Sequence, residues 1–267
     1  MKESSDFPAQ LRFQIRPGTR LNGIYEIDAL IATGGMGEVY SGRAIETGIK
    51  VAIKTIRADR TENETVLALF RKEAAALHNL QHEAVVRYYV FTTDPDLQCP
   101  YLAMELVEGM SLSSLLASGP LPLSSVRILQ RRIGSALDAA HRAGIVHRDI
   151  SPDNIILPEG DATRAKLIDF GIARSAFGGA TVIGDRFAGK ANYASPEQVG
   201  LYGGKTGPKA DIYSFGLTLA AAILGEPLNM GGTQLDVVRK RQSLPDLKKV
   251  DPSFRPLLAK MLQPRPD

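Results

Sequence analysis

Cysteine is nearly absent: Cys99 stands alone among 267 residues. No disulfide can form within the chain, and a reducing compartment fits. The first residues, Met1 to Asp6, are polar and lack the apolar centre of a secretory signal. The longest apolar stretch, around Leu217 to Leu224, falls far short of a membrane span. A cytoplasmic location without membrane contact is therefore expected for this segment, although a longer parent protein can carry an anchor. An excess of either charge is missing too, since 32 Lys and Arg face 29 Asp and Glu for a net +3. That balance argues against a nucleic-acid partner. Internal repeats and low-complexity tracts are lacking as well, which removes the solenoid classes.

What remains is ordinary globular usage, 44% hydrophobic and 23% charged, on a chain long enough to bury a core in two lobes. Residues 1–20 carry no periodicity and read as a tail. From Ile24 to Ile56, β-branched runs punctuated by glycine predict a twisted antiparallel sheet. A helix is expected from Thr61, with Glu64 completing a capping box, to about Asn79. Val85–Val90 and Tyr101–Leu106 read as strands joined by the loop Thr92–Pro100. Beyond Gly109, Ser124 or Ser125 can cap a long helix whose apolar positions Val126, Leu129, Ile133, Leu137 and Ala140 follow helical spacing, with Gly144 as its terminator. Asp211 to Leu224 reads as a buried helix. The fold class is thus α+β: a strand-rich lobe over 21–108 and a mainly helical lobe over 109–267.

Three segments carry chemistry. Gly34, Gly35 and Gly37, between two expected strands, let backbone N–H groups approach phosphate oxygens, although a glycine hairpin alone is most often a plain turn. Lys54 follows on a strand, where a lone lysine is ordinarily a solvated residue. His147-Arg148-Asp149 precedes Asn154, and Asp169-Phe170-Gly171 begins twenty residues after Asp149. Phosphoryl transfer needs a carboxylate to orient the attacking hydroxyl and oxygen ligands to hold magnesium on the phosphates. Asp149 supplies the first, and Asn154 and Asp169 the second, on loops flanking short strands at Ile155–Leu157 and Ala165–Ile168. Any one of them could be a loop cap; all at this spacing, with Ser195-Pro196-Glu197 downstream, could hardly be.

With these motifs the chain resembles the protein-kinase family, in particular the eukaryotic-like Ser/Thr kinases of bacteria, over about Leu21 to the C-terminus. The resemblance implies a two-lobed fold, ATP with Mg2+ (or Mn2+), and a protein acceptor phosphorylated on Ser or Thr. It implies that Lys54 holds the α- and β-phosphates and pairs with Glu73 of the first helix. Val39, Ala52 and Ile156 would enclose the adenine, Met104 would stand at the gatekeeper position, and Glu105 to Val107 would form the hinge. Core packing would explain these apolar residues equally well. Asp211 would buttress the catalytic loop, its plainer reading being a helix N-cap. Arg148 before the catalytic Asp implies control by negative charge on the activation segment, with Thr181 or Ser175 as phosphorylation sites and Asp185 as a fixed substitute. Autophosphorylation in trans implies a kinase-domain dimer. Pro152 in Ser151-Pro152-Asp153-Asn154 favours Ser/Thr over Tyr specificity. A pseudokinase scaffold is the alternative reading, and a small-molecule phosphotransferase a remoter one.

The chain departs from the family pattern at four places. Ala32 replaces the first loop glycine. Ser151 stands where a catalytic-loop Lys is usual, and Lys190 where a Thr is usual. The pair suggests an exchange, Lys190 supplying the cation to the γ-phosphate and Ser151 the hydroxyl. Finally, the Arg expected to pair with Glu197 would fall beyond Asp267, so a clipped second lobe of reduced stability is expected.

Overall fold

The computed structural model describes residues 15–34, 37–56, 64–171 and 190–266, with backbone alone at 64–66, 69 and 190. A six-stranded sheet comes first, in the order β1-β2-β3-β4-β6-β5. Its strands are β1 (Arg20–Leu21), β2 (Tyr25–Thr33), β3 (Glu38–Ala44), β4 (Lys50–Thr55), β5 (Tyr88–Asp94) and β6 (Cys99–Glu105). All neighbours run antiparallel. The two-residue side-chain period sorts the central strands cleanly. Val51 and Ile53 of β4, with Cys99, Tyr101 and Ala103 of β6, join one apolar cluster; Ala52, Leu102 and Met104 join another on the opposite face. Lys54 alternates with Val51 and Ile53 and so shares the face of Ala52. Helix α1 (Glu64–Asn79) covers that face with Phe70, Ala74 and Leu77, spaced four and three apart. Cys99 is 2% exposed, and burial pushes its thiol up to about 11.

The second half is mainly helical: α2 (Leu112–Leu116), α3 (Leu123–Arg142), α4 (Pro208–Leu224), α5 (Gln234–Lys240) and α6 (Arg255–Met261). A small sheet in the order β7-β8-β9 accompanies them, formed by β7 (Met110–Ser111), β8 (Ile155–Leu157) and β9 (Lys166–Leu167). Helix α4 is apolar nearly all round and buried from Ala210 through Ala222 apart from Ile212. It packs against both α3 and α6. Residues of both halves share one continuous core, from Ala52 and Phe70 to Leu258 and Leu262.

Several expectations shift. Residues 15–20 do not behave as part of a tail: Ile15 is buried in one cluster with Tyr25 and Tyr40 and donates its N–H to the Tyr40 hydroxyl at 2.9 Å. The strands expected at Val85–Val90 and Tyr101–Leu106 lie at Tyr88–Asp94 and Cys99–Glu105, so the loop between them shrinks to a tight turn. Asp94 makes that turn possible by accepting the N–H groups of Asp96 and Leu97 at 3.1 and 2.9 Å. Neither Ser124 nor Ser125 caps α3, which begins at Leu123 after Pro122 without a side-chain cap. Pro122 with its preset φ leads into the first turn, and Leu121 N–H is satisfied by Ala222 O of α4. Gly144 ends the helix as expected, with φ 74°. The capping box at Thr61 falls outside the described residues.

Candidate active site

The two loops between β8 and its neighbours meet through backbone bonds. Ile168 N donates to Asn154 O at 2.9 Å, and Gly171 N to His147 O at 2.9 Å. These bonds bring the Asp149–Asn154 turn against the Asp169–Gly171 turn. Within the first, Asn154 Nδ2 donates to Asp149 O at 2.6 Å. Among the described residues the Asn154 amide oxygen has no hydrogen bond, which leaves a hard oxygen donor one backbone bond from Asp169. Arg148 and Asp169 both hold left-handed backbone, at φ 63° and 59°. Non-glycine residues rarely adopt it, and it concentrates where surrounding structure over-determines a functional geometry.

Buried polar groups supply that over-determination. Asp211, 1% exposed, accepts His147 N and Arg148 N at 2.8 Å each. It also accepts His141 Nε2–H at 2.8 Å. Hydrogen bonds to a charged acceptor contribute about 1.5–3 kcal/mol each. Asp211 lies inside α4, which starts at Pro208, so it is a buttress and not an N-cap. His147 is fully buried: its Nε2–H donates to Ile168 O at 2.9 Å, while its Nδ1 accepts Asp149 N at 3.2 Å. That pattern requires the neutral ring. Burial pushes the imidazole below its usual range, outweighing the upward pull of Asp211 and Asp149. Phe170 packs on His147 with ring centroids 4.4 Å apart and meets Tyr88 edge-on at 6.4 Å. The Tyr88 hydroxyl accepts Phe170 N at 3.2 Å, so strand β5 is tied directly to this turn.

The first lobe contributes Lys54, whose Nζ contacts Asp169 Oδ1 across 115 positions of sequence. The expected Lys54–Glu73 pair is not formed. Glu73 Oε1 instead pairs with Arg148 Nη1 at 3.1 Å. The physical reason is that two carboxylates and two cations share one cleft. Asp169 turns its carboxylate toward the β4 lysine through its left-handed backbone, and Glu73 meets the guanidinium of Arg148, just before the Asp149–Asn154 turn.

The remaining positions fall as follows. Ala32 pairs with Val39, Val39 with Lys54, and Ala52 with Met104 in the sheet register. Ala52 and Met104 are buried and Val39 is partly so, all in the shared core, while Ile156 on β8 is half-buried. Glu105 pairs with Lys166 of β9, and Val107 follows in the connection to β7. Gly34 N donates to Gly37 O at 2.8 Å, closing the glycine turn. A Cβ on Gly37, φ 154°, would lie 1.9 Å from Thr55 O, so the loop presses on the end of β4 with no room for a side chain. Ser151 is 1% exposed, and its hydroxyl has no hydrogen-bond partner among the described residues. Gly35, Ser175, Thr181, Asp185 and the side chain of Lys190 lie outside the described residues. Glu197 is 5% exposed and has no ion pair among the described residues.

Two contributors escaped the sequence reading. His141 looks like an ordinary last-turn cation of α3, and only its contact with Asp211 reveals a role. Gln198 is buried, with Nε2 donating to Arg148 O at 2.7 Å and Oε1 accepting Ser195 N at 2.9 Å. Its adjacency to Glu197 was its only signal.

A family model described as protein kinase domain matches residues 25–267. A probable serine/threonine-protein kinase of Streptomyces coelicolor is 36% identical over 260 residues, covering 93% of this chain and 38% of that protein. The serine/threonine-protein kinase PknL of Mycobacterium bovis is 36% identical over 223 residues, covering 83% of this chain and 54% of that protein. The chain thus spans about two fifths to one half of these relatives. Among solved structures, the PknI kinase domain of Mycobacterium tuberculosis superposes with a TM-score of 0.71 at 23% identity, covering 94% of this chain and 92% of that one. That likeness concerns the fold: two lobes, a curled antiparallel sheet and a helical half. The chain belongs to the protein kinase domain family.

Proposed function

We propose that this domain transfers the γ-phosphoryl group of ATP to a Ser or Thr hydroxyl of a protein acceptor. The observation that carries the reading is the convergence of Lys54, Asp169 and the Asp149–Asn154 turn, drawn from distant parts of the chain. The names of the curated relatives point the same way.

Asp149 orients the acceptor hydroxyl and takes its proton as that oxygen bonds to the γ-phosphorus and the bond to the β,γ-bridging oxygen breaks, releasing ADP. Lys54 neutralises α- and β-phosphate oxygens, which requires it to leave Asp169. The backbone of Gly34, Gly35 and Gly37 covers the phosphates; the tight seat of Gly37 against Thr55 fits a loop that must come close. Val39, Ala52 and Ile156 enclose the adenine, with Met104 behind it and the Glu105–Val107 backbone at its edge. Asp169 and Asn154 offer a carboxylate and an amide oxygen, donors suited to Mg2+ or Mn2+. Among the described residues no cluster of three or more His, Cys, Asp or Glu could hold a metal by itself. A two-ligand set of this kind suits an ion that shares its coordination with phosphates and water. Once bound, such a cation neutralises charge on the transferring group.

Glu73 orients Lys54 only after releasing Arg148. A phosphate on Thr181 or Ser175, or the carboxylate of Asp185, offers Arg148 another anion and so favours the release. Phosphopeptide mapping after incubation with Mg-ATP distinguishes these sites. Ser151, buried with an unused hydroxyl, is consistent with an exchange in which Lys190 supplies the γ-phosphate cation; Lys190→Thr would then lose most of the turnover.

The principal test is label transfer from γ-labelled ATP to myelin basic protein with Mg2+. Asp149→Asn is expected to lower turnover by about a thousandfold while nucleotide affinity is kept. Equal turnover in that variant, or no transfer by the wild type, would remove the reading.

A further inference from the structure

Residues 190–198 form a wall beside the catalytic turn. Gln198 ties it to Arg148 O, as described above. The Tyr193 phenol is pushed up to about 12, by burial first and by the charge of Asp153 second. The wall is therefore one surface beside which a polypeptide presenting a hydroxyl to Asp149 can lie.

The far side of the wall rests on Arg241, directly after α5. Arg241 is fully buried. Its Nε donates to Ala194 O at 2.8 Å, its Nη1 to Met230 O and Val237 O at 2.7 and 2.8 Å, and its Nη2 to Ala191 O. Four donors thus meet four backbone carbonyls from three segments: the wall, the loop before α5, and α5 itself. No carboxylate pairs with this cation among the described residues. Burial pushes the guanidinium down to about 10, so it stays charged at neutral pH. Desolvating a charge here costs free energy that a leucine or methionine of similar size would not. What the guanidinium adds is a rigid planar fork that fixes carbonyls relative to one another, which a lysine point charge cannot reproduce. A second link closes the assembly: Asn192 Oδ1 accepts Met230 N at 3.2 Å, on the same residue whose carbonyl meets Arg241.

We infer that Arg241, with Asn192, is a positioning residue for the acceptor polypeptide, setting the depth and tilt of residues 191–194 against which the acceptor lies. The inference rests on the proposed phosphotransfer and adds the part of the molecule that holds the second substrate. The nucleotide side, built on β2, β3, β4 and the Asp169 turn, shares none of these bonds.

The test is a kinetic comparison of wild type, Arg241→Lys, Arg241→Met and Asn192→Ala, using γ-labelled ATP, Mg2+ and myelin basic protein. The KM for the acceptor is expected to rise about tenfold or more in both Arg241 variants and by a smaller factor in Asn192→Ala. The KM for ATP and the directly measured ATP affinity are expected to stay within about twofold. Loss of ATP and acceptor binding in parallel would mean that Arg241 only holds the lobe together, and it would overturn the inference. So would an unchanged acceptor KM in Arg241→Lys. If the Arg241 variants show no cooperative melting, Asn192→Ala decides, and an unchanged acceptor KM there is refuting. A wild type that binds ATP yet labels no acceptor would sink the phosphotransfer reading itself, a result separate from any of these.

Discussion

Asp169→Asn separates the two partners that compete for Lys54. In the structure the lysine and the Asp169 carboxylate form a pair with side chains 20% and 34% exposed. A nucleotide arriving without metal must take Lys54 from that pair and bring its phosphates close to a carboxylate. Exposed pairs are worth about 0.2–1 kcal/mol, and removing one member of a buried pair costs about 3–5 kcal/mol. Partial exposure puts the cost of separating this pair at about 1–2 kcal/mol. At about 1.4 kcal/mol per decade, Asp169→Asn should tighten metal-free ATP binding by about tenfold. The same substitution should erase most of the gain in affinity produced by Mg2+ and should abolish transfer. Calorimetric titration of ATP in EDTA and in Mg2+ reads both effects. Lys54→Met supplies the control, because in the double variant the metal-free gain should vanish. Metal-free binding no tighter in Asp169→Asn than in wild type would refute the role given to the pair.

Two further outcomes follow from the buried geometry. His147 is held neutral by burial and by using Nδ1 as an acceptor, so the unfolded chain, titrating near 6.5, binds a proton that the folded one refuses. The stability this gives is complete above pH 6.5 and is lost as pH falls below it, by up to about 1.4 kcal/mol per unit. Urea unfolding midpoints at descending pH should fall more steeply in wild type than in His147→Asn; equal slopes would count against the argument. Gly37→Ala should lower both the melting temperature and ATP affinity, since its Cβ would lie 1.9 Å from Thr55 O. Overpacking of this kind costs about 1–3 kcal/mol. Gly48→Ala, where nothing lies within 4 Å, carries only the strain of φ 69° and should cost less. Equal losses in the two variants would contradict the close-approach reading.

The sequence made the central sheet legible because alternation along β4 separates Val51 and Ile53, which join one apolar cluster, from Ala52, which joins the other, and from Lys54 on the same face as Ala52. It singled out the Asp149–Asn154 and Asp169–Gly171 turns, which the structure brings together, because their residue types and spacings are specific in combination. It could not say which cation Glu73 would meet. Lys54 and Arg148 both reach the cleft, and the choice depends on how α1 sits over the second lobe. Helices α2, α5 and α6 span five to seven residues, too few for a helical period to stand out. Arg241 was hidden for another reason. It ends the run Arg239-Lys240-Arg241, where three adjacent cations look like one solvated surface, and only packing reveals which of them turns inward.

Cys99 carries a practical consequence. A thiol buried behind the sheet and held protonated at neutral pH reacts slowly with maleimides and iodoacetamides. With no other sulfhydryl in the chain, a cysteine introduced on the surface becomes a selective attachment point without prior removal of the native one. Fluorophore pairs placed on β3 and on α5 could then report the separation of the two lobes with and without added nucleotide.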